Sequence, residues 1–579
     1  MKINSFRNCI IIMFFLFTGF AFAQDLGSET VVVVKPYTPS VNDAFKIKET
    51  PSITDSVNLE KRQVQYSIFS VPVASTFSPA KGRATSVERE RPPKLYDNYI
   101  TLGFGTYTSA LAEFYSNMEV NRTDNFGIFL THSSAQGGIE DVVLDDHFYD
   151  TELNLNYSSR KRNLIWNTDF GVEHRLFNWY GIPAEELSQD EISNIDPQHN
   201  YFSVYGGGEI NWEKSFFDRA EAKYRYFGDD FESTEHRFTF KPTLELPIGG
   251  ELFHTNIILD YVGGSFSPYV NEGAEDINYS FMNVGLASSL LVLRDDLTLN
   301  LGAAIYYSYD SENSDGGVYV YPQVTASYRA AGEYFIAYAG LEGELRQNSY
   351  YNLTSENPFL APALEVAPTD QQYKAYVGAK GKLSNSIGYN SRLQYSAEDF
   401  KPLFVSNPVY VSEHGNQQAY SYGNSFGVVY DRVSMISLFG ELNFDVNRKL
   451  NLRVNGEYFV YDTDEQEEAW NLPNFKANLL ADYQITDKWF AGANIFIVGE
   501  REDYGSSNFS PGNPTVREVE TLDSYIDLNA NVGYRFNDRL SIFAKGQNLL
   551  GDNYERWMNY PVLGLQVMAG ATYKFDFGR

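Results

Sequence analysis

Thiols are almost missing from this sequence. Cys9 is the only cysteine in 579 residues, and it precedes the apolar run 10–17 near the start of the chain. Disulfides, thiolate metal sites and cysteine catalysis are therefore excluded once the leader is removed. Beyond residue 23 no stretch approaches the ~18 consecutive apolar residues of a membrane-spanning helix, and the mean hydropathy is −0.35. A helical membrane protein is excluded on both counts. Positive charge is scarce: 45 Lys and Arg face 75 Asp and Glu, a net charge of −30. That balance argues against a nucleic-acid partner. The acidic excess has two readings, an exterior that attracts divalent cations or cationic solutes and the solubility of long surface loops, and charge alone favours the second. The 7 histidines include no H-E-x-x-H or H-x-x-x-H pair, which removes the commonest zinc-enzyme signatures.

Aromatics are what the chain has in excess: 43 Tyr and 42 Phe, with 44 Gly. High aromatic content in an overall polar chain is the composition of many strands that face lipid on one side and water on the other, with rings at the membrane edges. The N-terminus reads as a secretory signal over 1–23. Lys2 and Arg7 supply the positive start, and Ala21-Phe22-Ala23 is the cleavage pattern.

The alternation is clearest at the C-terminus. Over 565–577 every second residue is apolar or aromatic: Leu565, Val567, Ala569, Ala571, Tyr573, Phe575 and Phe577, set against Gln566, Met568, Gly570, Thr572, Lys574 and Asp576. A period of two with unlike faces is a β-strand between two solvents. The same pattern recurs from about Asp97 onward. Leu438, Leu442, Leu452, Val454 and Val460 mark one face, while Glu441, Asp445, Arg453 and Glu457 fall on the other. A packed soluble core does not tolerate such charges unpaired, so these four are candidate lumen-facing residues of a barrel. The strand 565–577 is expected to pair with one near 99–107, because an open edge in lipid leaves unpaired backbone groups.

Short polar turns, among them Arg122-Thr123-Asp124, Arg294-Asp295-Asp296, Asn447-Arg448-Lys449 and Asn537-Asp538, alternate with longer stretches such as 174–201, 343–370, 397–432 and 549–564. Short periplasmic turns and long extracellular loops are the outer-membrane rule. The expectation is an all-β chain: a large antiparallel transmembrane β-barrel of about 22 strands over 96–579. The count takes 421–432 as part of an extended hairpin outside the membrane.

The last three strands resemble the barrel of TonB-dependent outer-membrane receptors of the Bacteroidota type. The resemblance rests on Gly546-Gln547-Asn548-Leu549-Leu550, Tyr554, Tyr560-Pro561, Gly564 and the closing Gly570, Tyr573 and Phe575, with Leu563-Gly564-Leu565 in place of the family's Pro-Gly-Arg corner. It implies solute uptake across the outer membrane of a Gram-negative cell. It also implies that Gly570, Tyr573 and Phe575 serve as a barrel-insertion signal. The front of the chain departs from the family. Residues 24–95 form a proline-containing periplasmic arm with Pro36, Pro39, Pro51, Pro72, Pro79, Pro92 and Pro93, too short for the family's globular plug. Within it 28–34, chiefly Glu29, Thr30, Val31, Val32 and Val33, resembles the box that pairs with TonB by strand addition. A barrel this wide needs a filling. The arm, inward-turned loops and a separate plug, lipoprotein or assembly partner all stay open.

Other motifs carry less. Gly423-Asn424-Ser425-Phe426-Gly427 matches G-x-S-x-G, but no helix is expected after it, as a nucleophile elbow requires. His147 beside Asp145 and Asp146 reads as a solvated loop. Asp462, Asp464, Glu465, Glu467 and Glu468 lack the spacing of a calcium loop, and Trp470 next to them reads as an interfacial aromatic or a ligand platform. No catalytic residue, cofactor or metal site is expected. The alternative to uptake is a plugless structural or accessory barrel of an outer-membrane assembly or secretion complex.

Overall fold

The computed structural model describes residues 94–577 apart from 185–186, 214, 249–250, 268–275, 410–417 and 506–516. The expected signal peptide, the box-like stretch 28–34 and all but the last two residues of the arm lie outside the described residues.

The strands, in chain order, begin with β1 (Asn98–Gly105), β2 (Ala110–Glu119), β3 (Asp124–Ala135), β4 (Phe148–Lys161), β5 (Leu164–Asn178), β6 (Gln198–Trp212), β7 (Phe217–Asp229) and β8 (Thr234–Ile248). They continue with β9 (Glu251–Phe266), β10 (Ile277–Arg294), β11 (Leu297–Asp310), β12 (Asp315–Ala331), β13 (Phe335–Arg346), β14 (Thr369–Ser384), β15 (Ile387–Ser406), β16 (Phe426–Asn447) and β17 (Leu450–Thr463). The chain then forms β18 (Phe475–Tyr483), β19 (Trp489–Val498), β20 (Arg501–Tyr504), β21 (Val519–Leu522), β22 (Tyr525–Arg535), β23 (Leu540–Gln547), β24 (Glu555–Trp557), β25 (Tyr560–Pro561) and β26 (Gln566–Phe575). All but β20, β21, β24 and β25 belong to one 22-stranded antiparallel sheet. Those four make two small hairpins within outer loops. Among the described residues two short helices, α1 (Gln189–Ile192) and α2 (Tyr350–Glu356), also lie in loops.

The sheet closes on itself. β26 pairs with β23 on one side and with β1 on the other, in a register from Asn98 opposite Phe575 to Gly105 opposite Met568. The seam is tight because Gly103 and Gly570 face each other across it. A Cβ on Gly570 would sit 2.3 Å from the Leu102 carbonyl oxygen. Closure removes the edge that lipid would punish.

The two faces of the wall follow the alternation. Leu286, Ile305, Val284, Tyr307, Leu290 and Leu301 stack across β10 and β11 in register, and Leu286 and Ile305 are 44% and 46% exposed. A continuous belt of such residues belongs against acyl chains. The opposite face carries ion pairs. Arg237 holds Asp260 through two bonds of 3.0 and 2.8 Å, and Arg225 approaches Glu173 at 3.5 Å.

The turn-side connections are short, while most loops at the opposite end are long; β1–β2, β7–β8 and β11–β12 are the short exceptions there. One turn-side connection, 213–216, is not marked by the sequence pattern. Wall height is uneven: β1 has 8 residues and β16 has 22. At ~3.3 Å per residue β16 runs roughly 70 Å, more than twice the ~30 Å hydrocarbon core. Residues 426–431 belong to β16 and pair with 401–406, so the β15–β16 hairpin rises above the membrane, as the strand count requires.

Candidate functional site

The outer loops do not stand over their own strands; they meet. In a ring of 22 strands, the β5–β6 and β15–β16 loops are rooted ten strands apart. Strand spacing and tilt put such roots roughly 40 Å from each other. Yet Ile182, Ile192 and Ile195 of the first loop pack with Tyr422 of the second, and the Asn424 side-chain amide donates to the Trp179 carbonyl at 2.8 Å. The β13–β14 and β23–β26 loops join them. Phe359 stacks on Tyr560 with ring centres 3.8 Å apart, Tyr180 donates to the Pro561 carbonyl at 2.9 Å, and the Tyr560 hydroxyl donates to the Asn424 carbonyl. One buried apolar cluster runs through Tyr180, Tyr350, Leu360, Phe426, Leu522, Trp557 and Tyr560. The result is a cap across the outer mouth.

Helix α2 anchors the cap to the inner wall. Ser349 caps its N-terminus. The Glu235 carboxylate of β8 accepts from the Tyr350 and Tyr351 amides at 2.5 and 3.3 Å and from the Tyr279 hydroxyl at 2.7 Å. An acidic group at a helix start satisfies amides that have no partner within the helix. Tyr350, fully buried, lies against Phe227 and Phe266 and donates to Asp229 at 2.7 Å. Arg225 sits over the Tyr351 ring at 3.6 Å. Where α2 docks, the upper inner wall thus sets buried rings, Phe227 and Phe266, among its charged groups, unlike the purely polar inner face expected from the alternation.

A second anchor ties three outer segments. Asp503, in the β20–β21 hairpin, is fully buried. It accepts from the Ser406 amide at 3.0 Å, from the Asn471 side chain at 2.8 Å and from the Tyr504 amide at 2.7 Å. Burial pushes its carboxyl up to about 6 against the pull of those hydrogen bonds. Trp470 packs beside this knot with Leu403, Val405 and Val433, 4.1 Å from the Tyr504 ring. It is completely buried, which corrects its reading as an interfacial aromatic or ligand platform.

Between the cap and the inner wall of β4–β5 and β22–β26 lies a cavity of about 320 Å³. Its rings include Phe148, Phe359, Tyr554, Trp557 and Tyr560; its polar groups include Asn529, Gln547, Gln566, Asp146, Asp527, His147 and Arg556. Tyr554 is stacked on Tyr525 at 3.9 Å, which fixes its ring. Amides supply both donors and acceptors, so the cavity suits a small polar solute with an apolar face.

The sequence-level candidates fall in five places. Glu441, Asp445, Arg453 and Glu457 lie on the wall face opposite the exposed Leu438, Val454 and Val460. There Arg453 donates to Asn443 at 2.8 Å, Asn443 donates to Glu441 at 2.7 Å, and Glu457 accepts from Ser437 at 2.7 Å. Gly570 lies at the seam, with Tyr573 and Phe575 stacked 6.0 Å apart on β26. His147 lines the cavity. Ser425 is buried and donates to the Tyr420 carbonyl at 2.7 Å; strand β16 follows it directly, so it is no nucleophile elbow. The acidic run 462–468 sits by Asp431, which accepts the Glu465 and Gln466 amides. Among the described residues no group of three metal-type ligands comes together. The sequence reading missed Trp179, Tyr180, Tyr350 and Phe359. Of the cap residues, Asn548, Tyr554, Tyr560 and Pro561 were marked through the resemblance, and Asn424 and Phe426 only within the G-x-S-x-G match. Asn548 holds its loop by donating to the Asp552 and Leu563 carbonyls at 2.8 and 3.0 Å.

No protein-family model matches the chain, and no curated protein matches it in sequence. Solved structures do match its shape. The siderophore receptor PirA from Acinetobacter baumannii aligns at TM-score 0.62 with 11% identity, over 84% of this chain and 81% of that one. The barrel has the fold of outer-membrane receptors. The ferric-catecholate import receptor Fiu from E. coli gives 0.58 and 11% over 83% and 82%. The ferripyoverdine receptor of the outer membrane of Pseudomonas aeruginosa gives 0.59 and 12% over 84% and 73%. These neighbours are receptors and importers.

Proposed function

We propose that this chain is a solute-uptake barrel of the outer membrane, related to TonB-dependent receptors of the Bacteroidota type and lacking a globular plug. The observation that carries the reading is the cavity of about 320 Å³ between the loop cap and the wall, in a barrel whose fold is shared with a siderophore receptor and a ferric-catecholate import receptor. A solute taken from outside is held by rings and amides there and released into the lumen. In this reading 1–23 is cleaved, 24–95 is the periplasmic arm, and Glu29, Thr30, Val31, Val32 and Val33 pair with TonB. Glu441, Asp445, Arg453 and Glu457 line the passage, and Gly570, Tyr573 and Phe575 address the chain to the insertion machinery. Deleting 28–34 should abolish growth on the nutrient imported. Unchanged uptake of every solute tested would remove the reading.

A second reading is favoured by one feature. The cap is a buried core, and the β15–β16 hairpin rises well above the membrane. Both suit an accessory barrel that presents a rigid outer surface to an assembly or secretion complex. Purification in mild detergent followed by mass spectrometry separates the two. A stoichiometric lipoprotein or assembly factor supports the accessory role, and a chain that elutes alone speaks against it.

A further inference from the structure

We infer that the loop cap, latched by Tyr560, is the permeability barrier of this barrel. The inference is independent of which solute the protein carries. An open barrel of more than about 16 strands encloses an aqueous channel. In this chain, loops from opposite walls meet over the lumen, and the place where they meet is dry. Asn424, Leu360 and Tyr350 are fully buried, and Phe426 and Tyr560 are 1% exposed. The backbone groups at the crossing are paired between loops rather than with water. The Phe426 amide donates to the Phe359 carbonyl at 3.0 Å, and the Ala361 amide donates to the Phe426 carbonyl at 2.8 Å. Ions cross such a core only if it separates.

Tyr560 is where it would separate. Its ring touches Tyr180 of the β5–β6 loop, Phe359 of the β13–β14 loop and Phe426 at the outer end of β16, and its hydroxyl reaches the Asn424 carbonyl. The residue before it, Asn559, holds a left-handed φ of 62°, which turns the short β24–β25 hairpin inward. Gly181 leaves room for the ring: a Cβ there would lie 2.5 Å from Cε2 of Tyr560 and 2.7 Å from the Asn559 carbonyl oxygen. Of these residues only Phe426 belongs to a strand of the wall, where it is the outermost residue of β16 and can keep its place while the Tyr560 ring leaves. The latch can therefore open without breaking a rung of the barrel.

The test is ion conductance of the purified full chain in planar lipid bilayers. Three proteins are compared: wild type, Tyr560→Ala, which removes the hub, and Gly181→Leu, which wedges it. Heat-modifiable migration on gels checks that each barrel has folded, and with both substitutions confined to loops it should be unchanged. The wild type should show no steady conductance, and each variant should raise the open-channel current about tenfold or more, as a lumen of this strand number allows. A wild type that conducts steadily would overturn the inference. So would two folded variants that remain as closed as the wild type, since the barrier would then lie elsewhere.

Discussion

Asn424→Ala probes the cap at the residue that joins most of it. The Asn424 side chain donates to the Trp179 and Ala419 carbonyls, both at 2.8 Å, and accepts from the Tyr422 amide at 3.2 Å. Alanine removes all three bonds from a fully buried site and leaves the partners with no water to replace them. At a net ~1 kcal/mol for each bond, the closed cap loses about 3 kcal/mol. That corresponds to roughly a 150-fold rise in the open fraction. Tyr560→Phe keeps the ring and loses one hydroxyl bond, so its effect should be about 1 kcal/mol, or roughly fivefold. Hydrogen exchange with mass spectrometry reads both. Peptides spanning 418–426 and 358–363 should exchange roughly 100-fold faster in Asn424→Ala, with β10–β12 unchanged, provided the loops open and close quickly relative to exchange. Equal protection in Asn424→Ala and wild type would refute the idea that these bonds hold the loops together. Deprotection of the whole barrel would refute the separation of cap from wall.

Three further predictions follow from the anchors and the seam. Glu235→Gln presents a donor to three donors and should weaken the docking of α2 by about 2 kcal/mol; limited proteolysis should then cut within 347–368, and a loop as resistant as the wild type would contradict the anchor. Gly570→Val places side-chain atoms against the Leu102 carbonyl and the Phe543 ring, so it should block closure and abolish heat-modifiable migration, whereas Ala571→Val on the lipid face should be tolerated. The Asp503 carboxyl is raised to about 6 from an unfolded value of about 3.9, so its contribution is fully present below about pH 4 and lost as pH rises through about 6. After correction for intrinsic exchange, the Ser406 and Asn471 amides should be better protected at about pH 5 than at about pH 7.5. Asp503→Asn should flatten that difference.

The wall was legible because its physics is local. Lipid on one face and water on the other force a period of two, so Leu286, Ile305, Leu438 and Val454 declare their face by position alone. The closure of β26 on β1 followed from the cost of an edge in lipid, and the strand count from keeping turns on one side. The cap was not legible, since its contacts lie in irregular segments without any period. Tyr180 meets Pro561 across 381 residues of sequence, and nothing near either residue announces the other. The inner wall misled for a related reason. Tyr201, Phe227, Phe266 and Tyr279 are buried aromatics near the outer ends of their strands. The rule that inward residues are polar fails where a loop helix docks on them. Trp470 was misread for the same cause: an aromatic beside an acidic run looks interfacial until the β15–β16 hairpin covers it.

Loops from opposite walls meet over the mouth, and a disulfide trap shows whether they do so in the cell. With Cys9 expected to leave with the signal peptide, the mature chain offers no competing thiol. Cysteines placed at Ile182 and Tyr422, on loops rooted ten strands apart yet packed in one cluster, should crosslink in intact cells under mild oxidant and shift the band on a non-reducing gel. If the pair stays reduced in a folded barrel while cysteines at Asn98 and Phe575 across the seam crosslink, the mouth is open and the account is wrong.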